Sequence, residues 1–292
     1  MSIADLSLFT SLGNSLDATA TNIQQVEEQL ASGKQVNQPS DNPTAYGGEV
    51  ILNAQASAVA NDLVLGQQVQ SQLGTADGAL STVTNAIQSA ISVATEGANG
   101  TVNAADMTAL ASQVQALQQQ VIGAANAQYG GTFIFGGDQV QTPPYDAAGN
   151  YSGSAASNSV TFSDGTSVQT NFVGSAIFGN TSTGLIAAMA NLATALNAGN
   201  QSAIATSLAQ LQTALATVAT AQGSIGGNET AANNVVTNAG GENVTLQTAL
   251  QNLVGTDVPT AAMRQQEALL QQQALVSLGT ALGNMPLINV LA

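Results

Sequence analysis

Apolar residues spaced alternately three and four apart define the first element. Phe9, Leu12, Leu16, Thr19, Ile23, Val26 and Leu30 fall on one stripe. The stripe predicts a helix over residues 1–33 with a coiled-coil seam, though the same spacing suits an amphipathic helix on a globular core. A second, longer helical pattern runs over residues 43 to about 96, clearest at Leu73, Ala76, Leu80, Val83, Ile87, Ala90 and Ala94. Gly66, Gly74 and Gly78 lie inside it. Each costs about 0.5–1 kcal/mol relative to Ala, so this helix must lean on neighbours. After a turn at 97–102, Asn103 or Asp106 suits the cap of a third helix. Its face carries Met107, Leu110, Val114, Leu117, Val121 and Ala125. The last two read as an antiparallel helical hairpin.

The first two helices are joined by a stretch that can be read residue by residue, LASGKQVNQPSDNPTAYGGEVIL, residues 30–52. Gly33 stands where a helix ends, since Gly enters the left-handed conformation without a Cβ penalty. Pro39 and Pro43 forbid helix across the gap. Asn42 suits an N-cap and Pro43 the first helical position, where a missing N–H costs nothing. Ser40 and Asp41 could form half of a catalytic dyad, but turn and cap geometry accounts for them better.

At Tyr129 the period changes. Gly130 and Gly131 break the helix, and Thr132 to Phe135 read as a strand. Pro143 and Pro144 give a stiff extended link. Residues 159–162 and 168–173 alternate about a turn at Asp164 and Gly165, a hairpin signal. Most aromatic residues fall between 129 and 178, which suggests a small β insert with its own core. Helix returns near Leu185 and carries Leu192, Leu196, Ile204, Leu208, Leu211, Leu215 and Val218, with a break at Gly199 and Asn200. Residues 223–241, rich in Gly, Asn and Thr, fit either a weak helix or a loop. Residues 244–253 suit a short helix. A turn at 255–259 starts the last helix, whose apolar face is read as Met263, Leu270, Ala274, Leu275, Leu278, Leu282 and Met285.

The expected fold is mainly α: an elongated coiled-coil rod formed by the N- and C-terminal arms, with the β insert at the far end. Residues 1–42 with 254–292 would be terminal assembly arms, 43–130 with 183–253 a helical rod, and 131–182 the insert. Seams not used within the chain would pair with other copies. The expected assembly interface is therefore Phe9, Leu12, Leu16, Ile23, Val26 and Leu30 with Leu270, Leu275, Leu278, Leu282 and Met285.

Composition narrows the function. Lys34 and Arg264 are the only basic side chains against 17 acidic ones, for a net charge of -15. That argues against nucleic acid and against an anionic membrane surface. Without Cys or His, thiolate and imidazole chemistry are absent. Asp138, Asp146 and Asp164 could share a calcium ion, but solvated turn carboxylates explain them better, and no EF-hand spacing is present. No cofactor is expected, and enzyme is the weaker class. No basic residue precedes Lys34 and no apolar run reaches 18 residues, so neither a cleaved secretory signal nor a membrane span is expected.

Two stretches resemble the bacterial flagellin family, in its hook-associated branch. In LASGKQVNQPSDNPTAYGGEVIL they are Gly33-Lys34 and Pro39-Ser40-Asp41-Asn42-Pro43. In YGGTFIFGGDQVQTPPYDAAGNYSG they are Phe133, Phe135, Gly136, Pro143, Pro144 and Tyr145. The tail at 284–291 resembles a flagellin ending. The resemblance implies a non-enzymatic axial protein of the extracellular flagellum, in a homo-oligomeric ring where hook meets filament. Its partners would be the hook-associated protein type 1 on the hook side and flagellin on the other. Export would use the flagellar type III apparatus and a chaperone, without a cleaved signal. A filament subunit is the alternative of the same architecture; a secreted adhesin-like module is one of a different class.

Overall fold

The computed structural model describes the backbone of residues 3–283 and the side chains of residues 7–281. Seven helices and four short strands make up the described residues. The helices are α1 (Ile3–Ser32), α2 (Pro43–Gly97), α3 (Ala104–Ala125), α4 (Gly174–Ile177), α5 (Gly184–Asn197), α6 (Gln201–Val254) and α7 (Val258–Gly283). The strands are β1 (Gln128–Tyr129), β2 (Thr132–Phe133), β3 (Ser159–Thr161) and β4 (Ser167–Gln169). Two units follow from the packing: Met1–Ala58 with Glu242–Ala292, and Val59–Gly241.

In the unit Val59–Gly241 the expected stripe of α2 is buried from Val69 to Ala94, in strict steps of four and three. Residue 42 caps α2 as read: the Asn42 carboxamide oxygen accepts the Ala45 N–H at 3.1 Å. Of the two candidates for α3, Asn103 is the cap and accepts the Asp106 N–H at 2.9 Å. Gly66 explains why a costly residue sits in mid-helix. A Cβ there would lie 2.6 Å from Cγ2 of Val236 on α6, so its absence lets the two helices approach closely.

Residues 223–241 are helix, within one unbroken α6. An apolar residue recurs every seven positions, at Ile204, Leu211, Val218, Ile225, Ala232 and Ala239, and all six are buried. Gly223, Gly226 and Gly227 have open space where a side chain would stand. They weaken the helix without interrupting its packed face, and burial of that face outweighs propensity.

The strand-bearing segment corrects a second expectation. Gly130 and Gly131, both at positive φ, form the two-residue turn of a hairpin pairing β1 with β2. The expected hairpin about Asp164 and Gly165 is present, with Val160 opposite Val168. The segment has no core of its own. Phe135, Tyr145, Phe162, Phe172 and Phe178 join one continuous core with α2, α3, α5 and α6. Four strands of two or three residues bury too little on their own. Phe135 and Phe178 meet edge to face at 5.0 Å, and the Tyr145 hydroxyl donates to the Gly179 carbonyl at 2.7 Å. Burial pushes the Tyr145 phenol far up, so it stays a neutral donor.

Leu80 is fully buried in this core. Leu80→Ala is expected to cost about 2–5 kcal/mol. Urea unfolding followed by near-ultraviolet dichroism of the tyrosines would show it, and should show helix and strand segment melting together rather than in two steps.

Candidate assembly site

The unit Met1–Ala58 with Glu242–Ala292 holds two features: the pairing of α1 with α7, and the joint where α1 turns into α2 and α6 into α7. On α1 the expected seam is the packed one. Leu12, Ile23 and Val26 are buried, with Leu16 and Leu30 half-buried. Phe9 is more exposed, at 40%.

On α7 the face turned toward α1 differs from the expected one. Ala261 and Ala268 are buried, and Gln265, Gln272, Leu275 and Gly279 are half-buried, again in steps of four and three. Gln265 donates to Glu27 of α1 at 3.4 Å. A Cβ on Gly279 would lie 3.2 Å from Leu12 Cδ2. Leu275 is therefore on the inner face, while Leu270 and Leu278 are exposed, at 65% and 50%. Met263, Leu269 and Val276 are exposed with them. The side chain of Leu282, and Met285 altogether, lie outside the described residues. Ala261, Ala268 and Gly279 let α7 approach the seam of Leu, Ile and Val on α1 closely, with the longer Gln265, Gln272 and Leu275 packed between them.

The joint is built from two turns bonded to each other. Gly33 ends α1 at φ +69, and Lys34 pairs with Gly255 as an antiparallel bridge. The Gln35 N–H donates to the Val254 carbonyl at 2.7 Å, and the Thr256 N–H to the Gly33 carbonyl at 3.0 Å. Val36, Ala45 and Val254 form a small core beneath, flanked by Tyr46 and Leu253. The Lys34 ammonium meets Glu49 of α2 at 2.5 Å, the one ion pair among the described residues. Glu49 is a buried carboxylate, and sequence reasoning missed it. Its signal was its place four residues after Ala45, on the same inward face of α2.

Asp41 has a turn role. Its carboxylate accepts the N–H groups of Asn37 at 3.0 Å and Gln38 at 3.1 Å. Those bonds hold its pKa below the usual carboxylate range, with Asn37 the largest cause. Pro39 and Ser40 are exposed at the tip of that turn. Asp41, Asn42, Asp257 and Arg264 border a polar groove of about 290 Å³ in this unit.

The second motif lies in the other unit and is structural. Phe133, Phe135, Gly136, Pro144 and Tyr145 are buried, and Pro143 is exposed. The Asn126 side chain pins Tyr145 by two bonds of 2.9 Å, donating to its carbonyl and accepting its N–H. Asp146 and Asp164 accept N–H groups of their own turns, from Ala148 and Thr166 among others. Among the described residues, no three carboxylates gather where a metal would sit.

Lys34→Ala should leave Glu49 buried without its cation. Lys34 is itself half exposed, so the expected cost is at the lower end for such pairs, about 1–3 kcal/mol. Hydrogen exchange should show faster exchange at the Gln35 and Thr256 amides and no change around Leu80. Unchanged exchange at those two amides would mean that the ion pair does not hold the joint.

Comparison with known proteins places this geometry. Residues 3–140 match the family described as the bacterial flagellin N-terminal helical region. The chain is 36% identical over 133 residues to flagellar hook-associated protein 3 of Escherichia coli K12, 44% of this chain and 42% of that one. It is 36% identical over 129 residues to flagellar hook-associated protein 3 of Salmonella typhimurium LT2, 43% of this chain and 40% of that one. The chain thus spans about two-fifths of the length of the curated relatives it matches. The solved structure of flagellar hook associated protein-3 from Legionella pneumophila superposes with a TM-score of 0.63 at 14% identity, over 70% of this chain and 98% of that one, and so shares the fold. Residues 3–140, with the turn between α1 and α2, are thus similar to the N-terminal helical region of bacterial flagellins.

Proposed function

We propose that this chain is a structural component of the bacterial flagellum that forms the junction between hook and filament. The match to two proteins named flagellar hook-associated protein 3 carries this reading. It favours the junction over the filament subunit. In this reading the chain forms a ring with its own copies. It meets the hook-associated protein type 1 on one side and flagellin on the other. It leaves the cell through the flagellar export apparatus with a chaperone, and acts outside without catalysis.

The unit with α1 and α7 supplies the physical means. Its internal seam is thin, because two of the six α7 positions are Gln and one is Gly. Of the large apolar side chains of α7, Met263, Leu269, Leu270, Val276 and Leu278 are exposed. Each such side chain gains about 1.5–3 kcal/mol when a neighbour covers it. Arms that are weak alone and strong in company can pass an export channel unfolded and order on arrival.

Two substitutions separate the faces. Leu278→Asp lies on the outer stripe, so the purified chain should keep its helix content while incorporation into flagella is lost. Leu16→Asp lies on the inner seam and should lower helix content as well as incorporation. Immunoblots of sheared flagella and far-ultraviolet dichroism give both readouts. Normal incorporation of Leu278→Asp would contradict the assembly role of the outer stripe.

A further inference from the structure

Asparagine followed by glycine is the pair in which a backbone nitrogen attacks its neighbour's side chain most readily, because Gly puts no Cβ beside that nitrogen. The sequence holds one such pair, Asn99-Gly100, and two Asp-Gly pairs, Asp77-Gly78 and Asp164-Gly165. The fold treats the three differently. Gly78 lies inside α2, where its N–H belongs to the helix's own bonds and the backbone is fixed. The Gly165 N–H donates to the Phe162 carbonyl at 3.0 Å. Both oxygens of Asp164 accept from Thr166, at 2.8 and 2.9 Å. At each Asp-Gly pair the attacking nitrogen is therefore occupied, and a carboxylate is a poorer electrophile than a carboxamide.

Asn99 and Gly100 stand in the turn between α2 and α3, and both are exposed. The Gly100 N–H donates to no acceptor among the described residues. The Thr101 hydroxyl donates to the Asn99 carboxamide oxygen at 3.2 Å. That bond draws electron density away from the carboxamide carbon and leaves the amide nitrogen unengaged. The turn itself is held by the Val102 N–H, which donates to the Asn99 carbonyl at 3.2 Å.

We infer that Asn99 is a site of spontaneous modification, where the folded chain closes a succinimide with Gly100 and ages to isoaspartate. The Gly100 nitrogen gives its proton to solvent and attacks Cγ of Asn99. A C–N bond forms and closes the ring; the bond from Cγ to the amide nitrogen breaks, and that nitrogen leaves as ammonia. Water then opens the ring. Addition at Cγ gives aspartate, and addition at the backbone carbonyl carbon gives isoaspartate, whose main chain runs through Cβ and Cγ. Either product places a carboxylate just past the end of α2 at Gly97, where the helix dipole is already negative and Glu96 is near in sequence. Isoaspartate also lengthens the backbone inside the turn, so the Val102 bond is lost. The inference is independent of the assembly reading.

The test is to age the folded full chain in mildly alkaline buffer. Isoaspartate is counted by labelling with an isoaspartate-specific carboxyl methyltransferase and located by mass spectrometry of peptides. The expected result is label that accumulates with time at residue 99 and at neither Asp-Gly pair. Gly100 is not among the positive-φ glycines, and nothing lies within 4 Å of where its Cβ would stand, so Gly100→Ala fits the fold. That variant should label about tenfold more slowly, equivalent to about 1.4 kcal/mol on the barrier. Asn99→Gln, whose longer side chain disfavours the ring, should lose the label at this position. In the aged fraction the Val102 amide should exchange hydrogen faster. Residue 99 unlabelled in the folded chain would overturn the inference, since the turn would then protect it. Label at residue 99 that Gly100→Ala does not slow would overturn the attack by the Gly100 nitrogen.

Discussion

Two backbone hydrogen bonds between turns organise the unit that holds both chain arms. The Gln35 N–H reaches Val254 and the Thr256 N–H reaches Gly33. They satisfy groups that helix ends leave orphaned, and they tie the α1–α2 joint to the α6–α7 joint. Most details of residues 30–52 serve that contact. Gly33 supplies the left-handed turn, Asp41 and Asn42 cap the loop and the next helix, and Val36 packs on Val254 beneath. Lys34 stands opposite Gly255 between those two bonds, and its side chain reaches Glu49. In a chain with two basic side chains, committing one of them here marks the joint as the place where geometry is least free to vary.

With the joint fixed, α7 emerges opposite α1 with two stripes and one neighbour. The stripe from Ala261 to Gly279 takes the neighbour, while Met263, Leu270 and Leu278 stay exposed. In the proposed function these exposed side chains are the surface left for assembly.

Helix boundaries were legible wherever turn chemistry and a regular apolar repeat coincided. The end of α1 at Gly33, the cap at Asn42 and the buried stripe of α2 follow from the residues alone, and the cap of α3 is narrowed to Asn103 or Asp106. Three features were not legible, each for a physical reason. The glycine-rich middle of α6 reads as weak locally, and its helical state depends on burial of a seven-residue repeat that runs through Ile225 and Ala232. The face of α7 that meets α1 is hidden in the sequence because Ala261, Gln265, Ala268, Gln272, Leu275 and Gly279 make no apolar repeat. The strand segment was granted its own core, because a sequence shows that aromatics cluster but not what lies under them. The motifs at Gly33 to Pro43 and at Phe133 to Tyr145 pointed to the family, yet they turn out to be the joint and a buried packing element. The candidate assembly surface lies elsewhere, on α7.

The proposed function makes this chain a junction piece and not the bulk of a filament. The most direct measurement is quantitative mass spectrometry of sheared flagella, separated into hook-proximal and distal fragments, with the chain counted against flagellin. The account predicts a trace amount confined to the hook-proximal fragments. An amount comparable to flagellin in the distal fragments would contradict it and make the chain a filament subunit.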